Sequence, residues 1–463
     1  MKKRQVVGIV LAVLLIAGSQ VMPALGGLSA IGVKTVGVLL AFLVMLVTEA
    51  LPVVVTSLIF CGIMPLLGIT KNLGGALSGF AQPIVFFTLA SFGIAAAITS
   101  IPLSKRILRA LMRKFGKNIR FALLAVMVCT ALVSSFVSNV PTCAIFMAIS
   151  LSFLDLYKDD AEKRRTARAF MIGVPIASMI GGMMTPAGSS INLLAISQLE
   201  ALTGQTITFV QWMCAGIPLS IVMVPLAWFL ICKVYKPADV SKSEISGFVE
   251  SFDIPKRMSI PEIKVVVIIG IMFALWIASS WIKSINVMVV AILGCCVMFL
   301  PKIEILDLDT FLRENSWDAF FLVGTVLSIS MAMINNGVSD YLAAAIPIVH
   351  VSAPILIAGT ALLIFATLVI IPVATSMIPI MAVPLVAIAT NAGVSPSLIL
   401  MTAALCAGNC YLLPLDTVTL ITYGKGYYSM TDMPKSTVYM QLAMIVLCAL
   451  WLPVIGNLFG LIG

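Results

Sequence analysis

The sequence predicts an all-α polytopic membrane protein of about 11 transmembrane helices plus two re-entrant hairpins in two inverted repeats. Three observations carry this prediction: the composition, the placing of the basic residues, and a repeated pair of interrupted apolar segments. Of 463 residues, 61% are hydrophobic and 10% charged, and the mean hydropathy is +1.14. Soluble domains sit near roughly 45–50% apolar and 25% charged, so soluble enzymes, nucleic-acid binders and secreted disulfide scaffolds are excluded. The net charge of +9 therefore bears on membrane sidedness, and the lipid bilayer is the first expected partner.

Taken in order, Lys2-Lys3-Arg4 and the apolar run 5–23 form a first transmembrane helix within residues 1–31. Its basic start also resembles a secretory signal, but with so many spans following it reads as uncleaved. Residues 32–234 form a first repeat, with two spans in 32–69 broken at Leu51-Pro52, then 78–100, 119–157, 168–199 and 212–234. Between them, 102–117 alternates Lys105, Arg106, Arg109, Arg113 and Lys114 with apolar residues, as a helix lying on the inner surface does. Residues 235–263 form a cytoplasmic linker. A second repeat, 264–463, has two spans in 264–301, then 315–337, 353–391, 395–424 and 436–460. With the N-terminus inside, eleven spans leave only Lys34, Lys71 and Lys283 outside and the other 25 of 28 basic residues in the cytoplasm, which satisfies the positive-inside rule. The expected location is a bacterial inner membrane, N-terminus cytoplasmic and C-terminus outside.

The stretches 119–157 and 353–391 are each interrupted by small polar residues, Ser134-Ser135-Phe136-Val137-Ser138-Asn139 in one and Ala374-Thr375-Ser376 in the other. Each is two full spans or one re-entrant hairpin; the charges fit both, and the repeat favours the hairpin. Each is followed by an apolar segment broken at a proline: Thr185-Pro186-Ala187-Gly188-Ser189-Ser190-Ile191-Asn192 in 168–199, and Leu413-Pro414-Leu415-Asp416-Thr417-Val418-Thr419 in 395–424. Paired interruptions in corresponding positions of two halves point to the substrate site of a secondary transporter. A helix unwound inside a bilayer must find partners for its free backbone groups, in buried protein or a wet cavity. Half-helix N-termini after Ser138-Asn139-Val140 and after Gly188-Ser189 would aim positive dipole ends at the midplane, while unwound carbonyls and Ser, Thr and Asn oxygens would ligate a small hard cation. Taken singly, such hydroxyls commonly bond only to the preceding turn; the coincidence of both tips with both breaks is what argues for a site. No Lys or Arg within the apolar spans is placed to hold an anion at the midplane, so an anion would be held by helix ends, hydroxyls, amides and bound cations.

These residues resemble the divalent anion/sodium symporters, a family of dicarboxylate, tricarboxylate and sulfate carriers. The resemblance runs from about residue 40 to the C-terminus on Thr48-Glu49-Ala50-Leu51-Pro52, Gly79-Phe80-Ala81-Gln82-Pro83, Ser138-Asn139 and Gly181-Gly182 leading to Thr185–Asn192. It implies an eleven-span fold, a homodimer, and an elevator motion carrying the anion and sodium past a fixed scaffold. Carried over by position, the substrate contacts are Ser138, Asn139, Ser189, Ala374, Thr375, Ser376 and Thr417. The first sodium site is Ser134, Ser138, Asn139 and the Gly188 backbone, with Asp416 at the place of a second. The chain departs from the family at Val140, where a threonine is expected, at Ala374-Thr375-Ser376 in place of Ser-Asn-Thr, at Asp416 in place of a small neutral residue, and at Leu420 near the family's asparagine. An intramembrane carboxylate is a functional hypothesis by default. Asp416 reads as a cation ligand, a proton carrier or a structural cap, so protons join sodium as candidate coupling ions.

Other titratable groups carry less. Glu49 reads as a helix-end group, Asp318 as a helix N-terminal charge, and His350 as structural. The ten cysteines sit almost entirely in apolar runs and act as small hydrophobes, without a CxxC motif. An embedded enzyme is disfavoured by the scarcity of acid/base groups, and ATP-driven transport by the lack of a GxxxxGK[ST] loop. A cation/proton antiporter or channel-like permease on a related inverted-repeat plan is the rival, and Asp416 is its main argument.

Overall fold

The computed structural model describes residues 3–24, 27–252, 254–255, 257–282, 284–345, 351–370 and 374–460. Among the described residues the architecture is all-helical, with no β-strand; His350 lies outside them. Among the described residues, six helices are long and apolar enough to cross a bilayer: Arg4–Val21, Ala30–Val47, Phe209–Tyr235, Ile260–Ala278, Trp317–Asn335 and Pro434–Leu458. Several other apolar helices are shorter, among them Val53–Leu66, Ile119–Ser134, Asn139–Leu154 and Pro396–Ala407.

The first hairpin is the clearest case. Ile119–Ser134 and Asn139–Leu154 have 16 residues each, about 24 Å at 1.5 Å per residue, which falls short of the roughly 30 Å of hydrocarbon. The second pair of helices is Ala353–Ile370 and Ala374–Asn391; residues 371–373 lie outside the described residues. Ala374, Thr375 and Ser376 therefore begin the returning helix, as Asn139 does in the first hairpin.

Each hairpin is followed by a helix in two pieces. Asp160–Gly182 stops after Gly181-Gly182, a single 3-10 turn covers Pro186–Gly188, and Ser190–Thr203 resumes from an N-cap at Ser189. Pro186 has no N–H to donate, and the Thr185 side chain accepts from Gly188 N at 3.1 Å, closing the turn. In the second half Pro396–Ala407 gives way to an irregular stretch through Pro414, and Thr417–Tyr423 resumes from an N-cap at Asp416. The resumed helix of each half packs against the other half: Ser190–Thr203 on Ala374–Asn391 and Pro396–Ala407, Thr417–Tyr423 on Asn139–Leu154 and Asp160–Gly182.

A long helix then closes each half, Phe209–Tyr235 and Pro434–Leu458. The two lie antiparallel. Tyr235, near the end of one, donates to Asp432 O at 2.6 Å, just before the start of the other, while Trp451 Nε1 donates to Cys214 O at 3.0 Å at the opposite end. Burial alone would raise the Asp432 carboxyl, but Lys435 and Ser429 hold it down at about 2.

A second group of helices forms a wall beside this unit. Trp317–Asn335 packs on Val53–Leu66 and on the turn Ser78–Ala81. Gly79 N donates to Ser328 Oγ at 3.0 Å, and a Cβ at Gly79 would lie 2.2 Å from Gly324 O, so only glycine admits this approach.

The basic segment forms a helix, Leu103–Phe115, bent by 60° from Pro83–Thr99. The linker 235–263 holds a helix that hydropathy does not flag, Lys242–Glu250, opened by a capping box between Ser241 and Glu244. Phe248 packs edge-on to Phe153 at 5.0 Å. Tyr157 donates to Ala238 O at 2.7 Å.

Candidate substrate and cation site

The first tip and the first break are joined directly. Ser134 closes one helix of the hairpin, Ser138 is the N-cap of the next and Asn139 its first residue; Ser134 is fully buried and Asn139 nearly so. The Asn139 carboxamide nitrogen donates to Ser134 Oγ at 2.8 Å, Ser178 O at 3.0 Å and Gly188 O at 3.3 Å. Ser178 Oγ in turn donates to Asn139 O at 2.8 Å and sits 3.1 Å from Ser134 Oγ. Three oxygens from the tip, the helix before the break and the break itself thus surround one amide nitrogen. An oxygen ring of this kind suits a hard monovalent cation if the amide turns its own oxygen inward. Glycines make the approach close: a Cβ at Gly181 would lie 2.2 Å from Ala131 O, and one at Gly182 would lie 2.1 Å from the Asn139 carboxamide.

The break is also stitched to itself. Asn192 Nδ2 donates to Gly182 O at 2.8 Å and to Thr185 O at 2.9 Å, and Thr185 Oγ1 donates to Ser135 O at 2.6 Å. These bonds satisfy backbone carbonyls that the missing helical turn leaves open.

The second half is built differently. Tyr411 N donates to Gln441 Oε1 at 3.3 Å and Gln441 Nε2 to Asn409 O at 3.1 Å, so the closing helix Pro434–Leu458 holds this break. Asn409 Oδ1 and the Tyr411 hydroxyl are buried without a hydrogen-bond partner among the described residues. The Asp416 carboxylate accepts from Val418 N at 2.9 Å, as a helix cap. Between the second tip and second break lies a cavity of only about 20 Å³, with an apolar lining that includes Leu368, Ala374 and Leu413; Asp416 is its one acidic member.

Both tips and both breaks meet at a larger cavity of about 420 Å³. Its lining includes Ser138, Asn139, Val140 and Ser189 from the first half, Ala374, Thr375, Asp416 and Thr417 from the second, and Leu46, Val53 and Leu322 from the wall. Nothing is described for the Ser376 side chain, and Ser134 and Gly188 lie behind this surface. Helices of 16, 14 and 18 residues begin at this cavity, at Asn139, Ser190 and Ala374, so three positive dipole ends face it. Arg4 is its only basic lining residue among the described residues, beside Glu49; the two form an exposed pair at 4.0 Å. Glu49 occupies a turn with φ +48°, and Asp318 lies in the first turn of Trp317–Asn335.

A family model described as the sodium:sulfate symporter transmembrane region matches residues 3–462. The chain belongs to that family. Among its relatives, the sodium-dependent dicarboxylate transporter SdcS of Staphylococcus saprophyticus is 25% identical over 478 residues, covering 96% of this chain and 90% of the relative. An uncharacterised transporter of Haemophilus influenzae is 28% identical, covering 89% of each. The solved structure of Neisseria gonorrhoeae MtrF, of a class of antimetabolite efflux pumps, superposes with a TM-score of 0.61 over 98% of this chain and 95% of that one, at 14% identity. That likeness is one of fold. As a member of the sodium:sulfate symporter family, the protein is a membrane transporter and not an enzyme.

Within this symporter-family chain, sequence reasoning missed Ser178, Asn409 and Gln441. Ser178 lies inside Asp160–Gly182, where a lone serine carries no signal. Gln441 lies 32 positions beyond the carbonyl it holds, and Asn409 was hidden because the break was centred on Pro414.

Proposed function

We propose that this protein is a secondary active transporter of a small divalent anion, a dicarboxylate, tricarboxylate or sulfate, coupled to sodium. The observation that carries the reading is the convergence of two hairpin tips and two helix breaks on one cavity of about 420 Å³ lined by hydroxyls, amides and helix N-termini. Such a lining suits an oxyanion held without an arginine clamp. The names of the family and of the staphylococcal dicarboxylate transporter support the same substrate class and the same coupling ion. Sodium binds at the first tip and break, through Ser134, Ser138, Asn139 and the Gly188 carbonyl, as co-substrate. The anion contacts Ser138, Asn139, Ser189, Ala374, Thr375, Ser376 and Thr417. The apolar surroundings and small volume of the second pocket argue against an equivalent second sodium site there, and Asp416 serves as a cap.

The antiparallel closing helices and the reciprocal packing of the resumed helices support two inverted repeats, 32–234 and 264–463. The cavity's position between hairpin unit and helical wall supports an elevator motion of one past the other. We further propose eleven spans in a bacterial inner membrane, N-terminus inside and C-terminus outside, and a homodimer as the family resemblance implies. A cation/proton antiporter is the second reading, favoured by the Asp416 carboxylate in the cavity wall. Uptake of radiolabelled succinate, citrate and sulfate into proteoliposomes, with an inward sodium gradient, an inward proton gradient or neither, separates the two. Sodium-driven uptake of one anion is expected; cation flux with no anion uptake under any gradient would favour the antiporter.

A further inference from the structure

We infer that the face of the Leu103–Phe115 helix formed by Arg106, Arg109 and Arg113 is a binding site for a phosphate group, supplied by the headgroup of an anionic phospholipid. The inference stands apart from the transport reading, because this helix takes no part in the cavity between the tips.

Residues 105–120 carry seven Lys or Arg and no Asp or Glu. Three of the arginines, at spacings of three and four, line one cavity of about 370 Å³ with Ala110 between them. Their states differ. Arg106 is committed: it pairs with Glu262 at 2.8 Å and donates to Pro255 O at 2.8 Å and Arg257 O at 2.9 Å. Arg109 keeps one long contact, to Ile254 O at 3.5 Å, and its Nε is buried without a partner. Arg113 makes no hydrogen bond or ion pair among the described residues. Arg109 and Arg113 therefore line a shared space with guanidinium donors that no described residue takes up, with the small Ala110 side chain between them. An unpaired buried guanidinium N–H is costly, and a phosphate takes two such forks in bidentate fashion.

The lipid source follows from where the helix lies. Leu108 and Met112 are buried against the protein, and the 60° bend from Pro83–Thr99 turns the helix away from the direction of a span. A basic helix beside a span end meets the headgroups of its leaflet, where each Lys or Arg adds about 1 kcal/mol toward anionic lipid.

The test uses the full-length protein in neutral detergent, titrated with short-chain phosphatidylglycerol, short-chain phosphatidylcholine and inorganic phosphate, and read by native mass spectrometry and thermal shift. Phosphatidylglycerol is expected to bind and stabilise, and the pair Arg109→Gln with Arg113→Gln is expected to weaken it about 30-fold. Arg106 stays untouched, so the link to Glu262 is kept. The pair Arg109→Lys with Arg113→Lys retains charge but loses the fork, and is expected to weaken binding at least about threefold; it carries the test if the glutamine pair fails to fold. Phosphate alone binding as tightly as the lipid would overturn the lipid assignment and leave a soluble-anion site. Lipid binding unchanged in whichever pair folds, or equal binding of phosphatidylcholine, would overturn the site.

Discussion

The two halves solve the same problem, an apolar helix interrupted partway along, by different means. In the first, the break is tied to the hairpin tip and to itself through Asn139, Ser178, Thr185 and Asn192. In the second, the break is tied to the closing helix through Gln441, and Asp416 is engaged in capping. A break bonded to its tip brings oxygens from separate elements to one point; a break bonded to a third element is held from outside the hairpin. The consequence, among the described residues, is an asymmetric pair, and the proposed sodium site belongs to the first half.

The largest effect should come from filling the close approach in the first half. A Cβ at Gly181 meets Ala131 O at 2.2 Å and Ala131 Cα at 2.6 Å, both backbone, whereas at Gly408 its nearest neighbour is 3.3 Å away. Gly181→Ala is expected to separate the hairpin from the broken helix, lowering stability by about 1–3 kcal/mol or more and abolishing transport. Gly408→Ala should stay within about 0.5 kcal/mol. Thermal unfolding of the two purified variants checks this, and equal midpoints would break the comparison.

Next comes the oxygen ring itself. Asn139→Ala strips partners from Ser134 Oγ, Ser178 O and Gly188 O, at about 1–3 kcal/mol per buried group left unpaired. Uptake at limiting sodium should fall by more than about tenfold. Thr375→Ala, at the second tip, is expected to change sodium dependence by less than about twofold. Sodium titrations of uptake in proteoliposomes distinguish these results; equal losses would give the second tip an ion role as well.

A smaller contrast lies in the stitches. Asn192→Leu and Gln441→Leu each leave two backbone groups of a break unsatisfied, so both should destabilise by about 1–3 kcal/mol. Only Asn192→Leu is expected to weaken sodium affinity as well, because only the first break contributes a carbonyl to the ring.

Much of this was legible in the sequence, unevenly and for physical reasons. Hairpins and breaks announce themselves because Ser138-Asn139, Gly181-Gly182 and Thr185-Pro186 are out of place in an apolar run, where every unpaired backbone group is costly. The partners that satisfy those groups do not. Ser178 and Gln441 sit mid-helix, and only the three-dimensional packing tells a hydroxyl bonded to its own turn from one bonded to a neighbouring element. The linker helix Lys242–Glu250 was signalled by Ser241 and Glu244 three apart, a pattern that hydropathy passes over. The pairing of Arg106 with Glu262 spans 156 positions and has no local signature.

The finest test of the asymmetry is Asp416, whose three readings make different demands. A cap needs a side-chain oxygen that accepts from Val418 N, which asparagine supplies nearly as well as aspartate, whereas alanine costs about 1 kcal/mol. Asp416→Asn should therefore leave stability unchanged within a few tenths of a kcal/mol, and Asp416→Ala should not. A carboxylate in the wall of an anion cavity also repels its cargo, so removing the charge is expected to lower KM for a dianion by a few-fold while sodium and pH dependence stay as they were. Loss of sodium dependence in Asp416→Asn would make Asp416 a cation ligand. A shifted pH profile would make it a proton carrier. Either result would return the second half to the coupling machinery and leave the small pocket between Ala374 and Asp416 as the place where the ion or proton is held.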